Sequence, residues 1–162
     1  LQDAGNTVTL AGYINLLNES GLLCGLHKFS IDNARRKASI PKLQVYNNAL
    51  KMVYNSLSFE QSLLDRKHWG RIFESGIGAY LVSQAFTHRF EVYYWRERND
   101  EVDFILLKNN SLIAIEVKSN AEKNTSGLDK FRQNFNPDKA FIVGEGGITP
   151  EEFLSMNIKK LF

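Results

Sequence analysis

The spacing of hydrophobic and polar positions changes period several times along the 162-residue chain, and each change marks an element. Over residues 7–20, TVTLAGYINLLNES, Leu10, Ile14 and Leu17 recur at helical spacing with Tyr13 beside them. Thr7 or Thr9 is placed to cap that helix and Gly21 to stop it. LLCGLHKF then reads as a strand, Asp32 to Ser39 as a basic loop, and KLQVY over 42–46 as a second strand. Residues 47–68 are polar-rich and mixed, with room for a short helix and a connection. A long helix is expected over 69–87, where Trp69, Ile72, Phe73, Gly76, Ile77, Tyr80 and Leu81 make one stripe. Glu74 stands at the edge of that stripe, and Gly78, one turn on, leaves room beside its carboxylate.

Strand periodicity takes over at 91–95 (EVYYW), 101–107 (EVDFILL) and 112–118 (LIAIEVK). A short helix is expected over about 125–135, opened by Thr125 or Ser126. KAFIV at 139–143 is a continuous apolar run, as a buried parallel strand requires. The turn GEGG ends it, and Thr149-Pro150-Glu151-Glu152 has the cap, proline and acids of a helix start. From residue 69 the order is α-β-β-β-α-β-α, a mixed α/β architecture.

Apolar residues make up 43% of the chain, enough for a packed core. A net charge of +2 makes no electrostatic case for nucleic acid, so any basic face has to be local. The single cysteine, Cys24, sits in an apolar run; it excludes an internal disulfide and a thiolate metal site, and it fits a reducing cytoplasm. His27, His68 and His88 are scattered without metal spacing. No run has the apolar length of a membrane span. The chain opens in polar residues without an initiator methionine, as a piece of a longer protein would.

Two carboxylates interrupt the apolar pair of strands at 101–118. Lys108-Asn109-Asn110-Ser111 suits a tight turn, because asparagine tolerates the positive φ that such turns demand. Centring the turn on Asn109-Asn110 sets Lys108 opposite Ser111, and counting back brings Asp103 opposite Glu116 and Glu101 opposite Lys118. Alternation projects all four from one face. Opposed Cβ atoms lie about 5 Å apart, where like charges repel unless a cation intervenes or one acid keeps its proton. Mg²⁺ is held by one or two carboxylates with waters and phosphates completing the shell, so such a pair beside a lysine suits phosphodiester cleavage. Lys118 would orient or deprotonate the attacking water, or stabilise the developing charge. The plainer account is a solvent-facing hairpin with Glu101–Lys118 as a cross-strand ion pair, and a bulge would shift the register.

Asp103, Glu116-Val117-Lys118 and the helical Glu74 together resemble the motif of the PD-(D/E)xK nuclease superfamily, in its form without the proline. More narrowly, WGRIFESGIGAYL, YYWRERNDEVDFIL and IEVKS resemble the domain of unknown function at the C-terminal end of a large prokaryotic family of AAA+-type ATPases. TLAGYINLLNESGLL and IPKLQVYNNAL are similar to the winged-helix-like segment that precedes it. The resemblance implies a restriction-endonuclease-like α-β-β-β-α-β core over residues 61–162 and a partial winged-helix-like segment with linker over 1–60. It implies a Mg²⁺ (or Mn²⁺) site with Asp103, Glu116 and Glu74 as ligands and Lys118 as catalytic base. It implies DNA as partner, with an N-terminal ATPase half in the same full-length protein. Gln133 falls where some relatives place a helper residue. Arg35, Arg36 and Lys37 on the wing, and Arg96 beside the motif, are the candidate nucleic-acid contacts. Asn47-Asn48 stand where the family often has Asp, and the Gly-x-x-x-x-Gly-Lys-[Ser/Thr] phosphate loop is absent, so no ATPase activity is expected from these residues alone. The expected function is phosphodiester hydrolysis of DNA; the alternative is a catalytically silent nuclease-like module that binds DNA or protein and regulates the attached ATPase.

Overall fold

The computed structural model describes residues 6–32, 39–120 and 126–162. Helix α1 (Thr7–Glu19) is capped by Asn6, whose side chain accepts the Val8 amide at 3.0 Å, rather than by a threonine. An antiparallel pair follows, β1 (Leu23–Leu26) and β2 (Lys42–Val45). Two short helices, α2 (Asn48–Val53) and α3 (Phe59–Leu64), fill the stretch where one was expected. The long helix α4 (Arg66–His88) begins three residues ahead of its apolar stripe. Asp65 accepts the His68 amide at 3.0 Å and so starts it on a polar first turn. It ends where Arg89 takes a left-handed conformation, φ 53°.

Strands β3 (Glu91–Glu97), β4 (Asp100–Lys108) and β5 (Ser111–Lys118) form an antiparallel meander. Helix α5 (Ser126–Phe135) then carries the chain to β6 (Lys139–Gly144), which pairs parallel with β5. Helix α6 (Pro150–Ser155) has a complete capping box between Thr149 and Glu152, with proline in its first turn. A 3₁₀ turn at Ile158–Leu161 closes the chain. The fold is thus mixed α/β, with a four-stranded mixed sheet in the order β3-β4-β5-β6.

Both faces of the sheet are covered. Phe104, Leu106, Ile113, Ile115 and Val117 pack with Ile77 and Leu81 of α4 and Phe153 of α6. On the other face Val102, Ile105 and Ala114 pack with Leu128 and Phe131 of α5. Strand β1 and the segment after it share these cores: Cys24 and Leu26 join the first and Phe29 the second. Phe29 also donates its amide to the Tyr94 carbonyl at 2.6 Å. Burial raises the Cys24 thiol above its ordinary pKa, which suits an inert core residue. Helix α1 is different, because Leu10, Tyr13 and Leu16 are all more than half exposed. Among the described residues no helix is long and apolar enough to cross a membrane.

One irregularity positions the site. Tyr93 pairs with Ile105, but two residues on, Trp95 pairs with Val102, so β4 holds one residue more than β3 across that interval. Val102 and Ile105 both reach the α5 face while Phe104 reaches the α4 face. Strict alternation therefore fails at Asp103–Phe104, the signature of a β-bulge.

Candidate active site where the β4–β5 ladder ends

Asn109 adopts φ 53°, and the turn sets Lys108 opposite Ser111 and, step by step, Phe104 opposite Ile115. Asp103–Glu116 would be the next pair, yet the paired register stops one step short of it. At that point the Asp103 side chain turns into the gap between the strands, and its Oδ2 accepts the Val117 amide at 2.8 Å. A carboxylate so placed lies between β4 and β5 rather than on a face of the sheet.

Glu116 and Lys118 flank Val117 and are both buried, at 3% and 6% exposure, beside Asp103 at 1%. Ile115 and Val117 fill the α4 face, so alternation assigns Glu116 and Lys118 to the side of Ala114. The bulge thus interrupts the arrangement in which Glu101, Asp103, Glu116 and Lys118 share one face. Glu101 ion-pairs with Arg96 at 3.7 Å.

The other oxygen of Asp103 faces a residue that the sequence did not single out. Lys42, the first residue of β2, bonds Glu74 Oε1 on α4, and its Nζ lies 3.9 Å from Asp103 Oδ1. The same ammonium stands 5.5 Å from the centre of the Phe104 ring. Burial alone would pull Lys42 down, but Glu74 first and Asp103 next outweigh it and hold its pKa above the ordinary lysine value. A lysine at the start of a short strand gives no local signal of this role. Only the structure shows the strand's inverted burial, with Gln44 4% exposed and Leu43 57%.

Gln44 explains how Lys42 is held. Its amide donates to the Ser75 carbonyl at 3.0 Å and to its own strand at Val45. It lies against Gly78, where a Cβ would fall on the Gln44 side chain and 2.8 Å from the Phe104 ring. Gly78 thus makes room for Gln44 and Phe104. Asn47 caps α2 by accepting the Ala49 amide at 2.9 Å, a task aspartate also performs, and Asn48 ties α2 to α4 through the Ile72 carbonyl.

A groove of about 460 Å³ opens beside Asp103, with Pro41, Lys42, Tyr94, Arg96 and Glu101 among its walls. Arg96 therefore shares a groove with Asp103, with its charge offset by Glu101. Arg35, Arg36 and Lys37 lie outside the described residues. Gln133 is exposed on α5.

Among the described residues no three His, Cys, Asp or Glu side chains form a group that could hold a metal ion. Two buried carboxylates on neighbouring strands do offer hard oxygen donors, which fit a Mg²⁺-type cation whose remaining positions are filled by water or phosphate.

No curated protein and no solved structure matches the chain. A family match covers residues 69–154, just over half of the chain, and takes in Glu74, Asp103, Glu116 and Lys118 but not Lys42. On that match the chain belongs to the family described as Domain of unknown function (DUF4143).

Proposed function

We propose that the chain carries a Mg²⁺- or Mn²⁺-dependent phosphodiesterase site acting on DNA, in a nuclease-like domain joined to the ATPase half of a longer protein. The observation that carries this reading is burial. Among the described residues the buried charged side chains are Asp103, Glu116 and Lys118, and all three stand at one strand end. Taking a charge out of water costs roughly several kcal/mol, so a cluster of this kind is better explained by chemistry than by packing.

Asp103 and Glu116 would hold the cation. When bound, it would supply an activated water and polarise the phosphoryl oxygens. Lys118 is the group to orient that water, take its proton or meet the negative charge that develops on phosphate. Glu74 serves through its pairing with Lys42, which offsets negative charge where a phosphate must approach. Arg96, on the wall of the groove, is suited to a backbone phosphate, a contact that positions DNA without reading its sequence.

The succession α4-β3-β4-β5-α5-β6 supports the restriction-endonuclease-like, PD-(D/E)xK-type assignment of this half. The succession α1-β1-β2 supports a winged-helix-like origin for the N-terminal segment. The lone, buried cysteine supports a cytoplasmic setting.

A second reading is a catalytically silent nuclease-like module that binds DNA or protein and regulates the attached ATPase. The observation favouring it is Lys42, which already supplies a cation to Glu74 and Asp103. Nicking of supercoiled plasmid in Mg²⁺ or Mn²⁺ separates the two. On the catalytic reading the wild-type chain nicks, and Lys118→Ala and Asp103→Asn lose about a hundredfold or more. Equal behaviour of all three overturns it in favour of the silent module.

A further inference from the structure

The geometry points to Lys42 as a fixed internal cation that withholds Glu74 from the metal and limits the site to a single divalent ion. This rests on the metal-binding reading above, and it concerns a residue outside the segment that matches the family.

Three features distinguish Lys42 from a solvated surface lysine. Its ammonium is flanked by a bonded glutamate, a second carboxylate oxygen at 3.9 Å and an aromatic ring at 5.5 Å. Its strand is fastened to α4 two residues further on, where the buried Gln44 bonds the Ser75 carbonyl, the residue next to Glu74. Gly78, one turn along α4 from Glu74, leaves the space that this fastening occupies. Lysine and glutamate are thus brought together by buried contacts on both elements.

The consequence is electrostatic. A second divalent ion bridging Glu74 and Asp103 would lie against Glu74 Oε1 and Asp103 Oδ1, the two oxygens that face Lys42 Nζ. An ammonium and a dication compete for them, because like charges a few ångströms apart repel even where, as here, the lysine and the glutamate keep partial contact with water. Asp103 Oδ2 accepts the Val117 amide with one lone pair, which restrains the carboxylate from swinging away and leaves a further lone pair on that oxygen for a metal. Lys42 therefore stands where a second cation would stand, and the pair left to a metal is Asp103 with Glu116.

The test is calorimetric titration of the metal-free chain with Mn²⁺, with folding checked by circular dichroism. Lys42→Met is expected to bind Mn²⁺ about tenfold more tightly than the charge-preserving Lys42→Arg, or to take up a second ion per chain, because a neighbouring positive charge has been removed. Lys42→Arg is expected to match the wild type, which a purely steric role for Lys42 would not produce. Should Lys42→Met fold poorly with Glu74 left facing Asp103, Glu74→Gln compared with Lys42→Met/Glu74→Gln makes the same measurement without that burden. The double variant is then the tighter binder by a similar factor. Equal affinity and equal stoichiometry within both pairs overturns the inference. If the wild type binds one ion and the pairs do not differ, the role of Lys42 fails while the metal site stands. If no form binds Mn²⁺, both fail together. A gain confined to the variants lacking Lys42 upholds the role of Lys42 even where the plasmid assay has rejected catalysis.

Discussion

Asp103 Oδ2 lies 2.8 Å from the Val117 amide nitrogen, so a buried carboxylate takes up a backbone donor at the point where the regular β4–β5 pairing ends. The bond places Asp103 between the residues of the Glu116-Val117-Lys118 triplet. It also makes a first prediction. Asp103→Ala strands the Val117 N–H in the interior and is expected to cost about 1–3 kcal/mol, the usual penalty for an orphaned buried donor. Asp103→Asn keeps an acceptor oxygen there and is expected to cost clearly less. Urea unfolding of the metal-free variants measures both; equal losses would show that the bond contributes nothing to the fold.

Two glycines on α4 are expected to respond in opposite directions. At Gly76 the nearest atom to an added Cβ is Asn48 Nδ2 at 3.7 Å, an ordinary contact. Gly76→Ala is therefore expected to stabilise by about 0.5–1 kcal/mol through helix propensity. At Gly78 the same Cβ meets Gln44 and Phe104, so Gly78→Ala is expected to destabilise by roughly 1–2 kcal/mol net, despite the same propensity gain. Thermal melts of the two variants decide it, and a rise in Tm for Gly78→Ala would mean that β2 is not fastened to α4 as described.

Asp138 ties the start of β5 to the loop before β6. Its carboxylate accepts the Leu112 amide at 2.8 Å, while its own amide donates to the Leu112 carbonyl. The Leu112 amide first, and the Ser111 hydroxyl next, hold its pKa below the ordinary aspartate value. A depressed folded-state pKa stabilises above the unfolded value, about 3.9, and that contribution fades as pH falls through the folded one. The wild type is thus expected to lose its advantage over Asp138→Asn on acidification below about pH 4. Denaturation midpoints of the two proteins at pH 6 and at about pH 3 would reveal it. A difference that stays constant across that range would rule it out.

Arg96 tests the partner. If the groove beside Asp103 receives a DNA strand, Arg96→Ala weakens binding at every sequence alike and lowers the salt slope by about one phosphate contact. Filter binding or fluorescence anisotropy across a salt series gives the slope. No change in slope would place the DNA elsewhere on the protein.

Much of the framework can be read from local signals. Asn109-Asn110 determines the turn and, through it, which residues of β4 and β5 oppose each other. Thr149, Pro150 and Glu152 mark the start of α6 as their chemistry requires. The first turn of α4 is harder to see, because Arg66-Lys67-His68 carries no apolar period and only the Asp65 cap announces it. Exposed Leu10 and Tyr13 show the converse, a helical apolar pattern that the described residues leave largely uncovered.

The buried acids and lysine stand out in the sequence, because Asp103, Glu116 and Lys118 break an apolar pattern on either side of a turn that sets the strand register. Their meeting place is decided by the tertiary structure. The extra residue at Asp103–Phe104 depends on how β3 and β4 pack against the two helical layers, and no short stretch of sequence encodes it. Lys42 reaches Glu74 across 32 residues of chain, drawn there by Gln44 and Gly78. Turns and caps are settled by neighbours along the backbone, whereas a bulge and a half-buried ion pair between distant elements are settled by residues that become neighbours only once the core has formed.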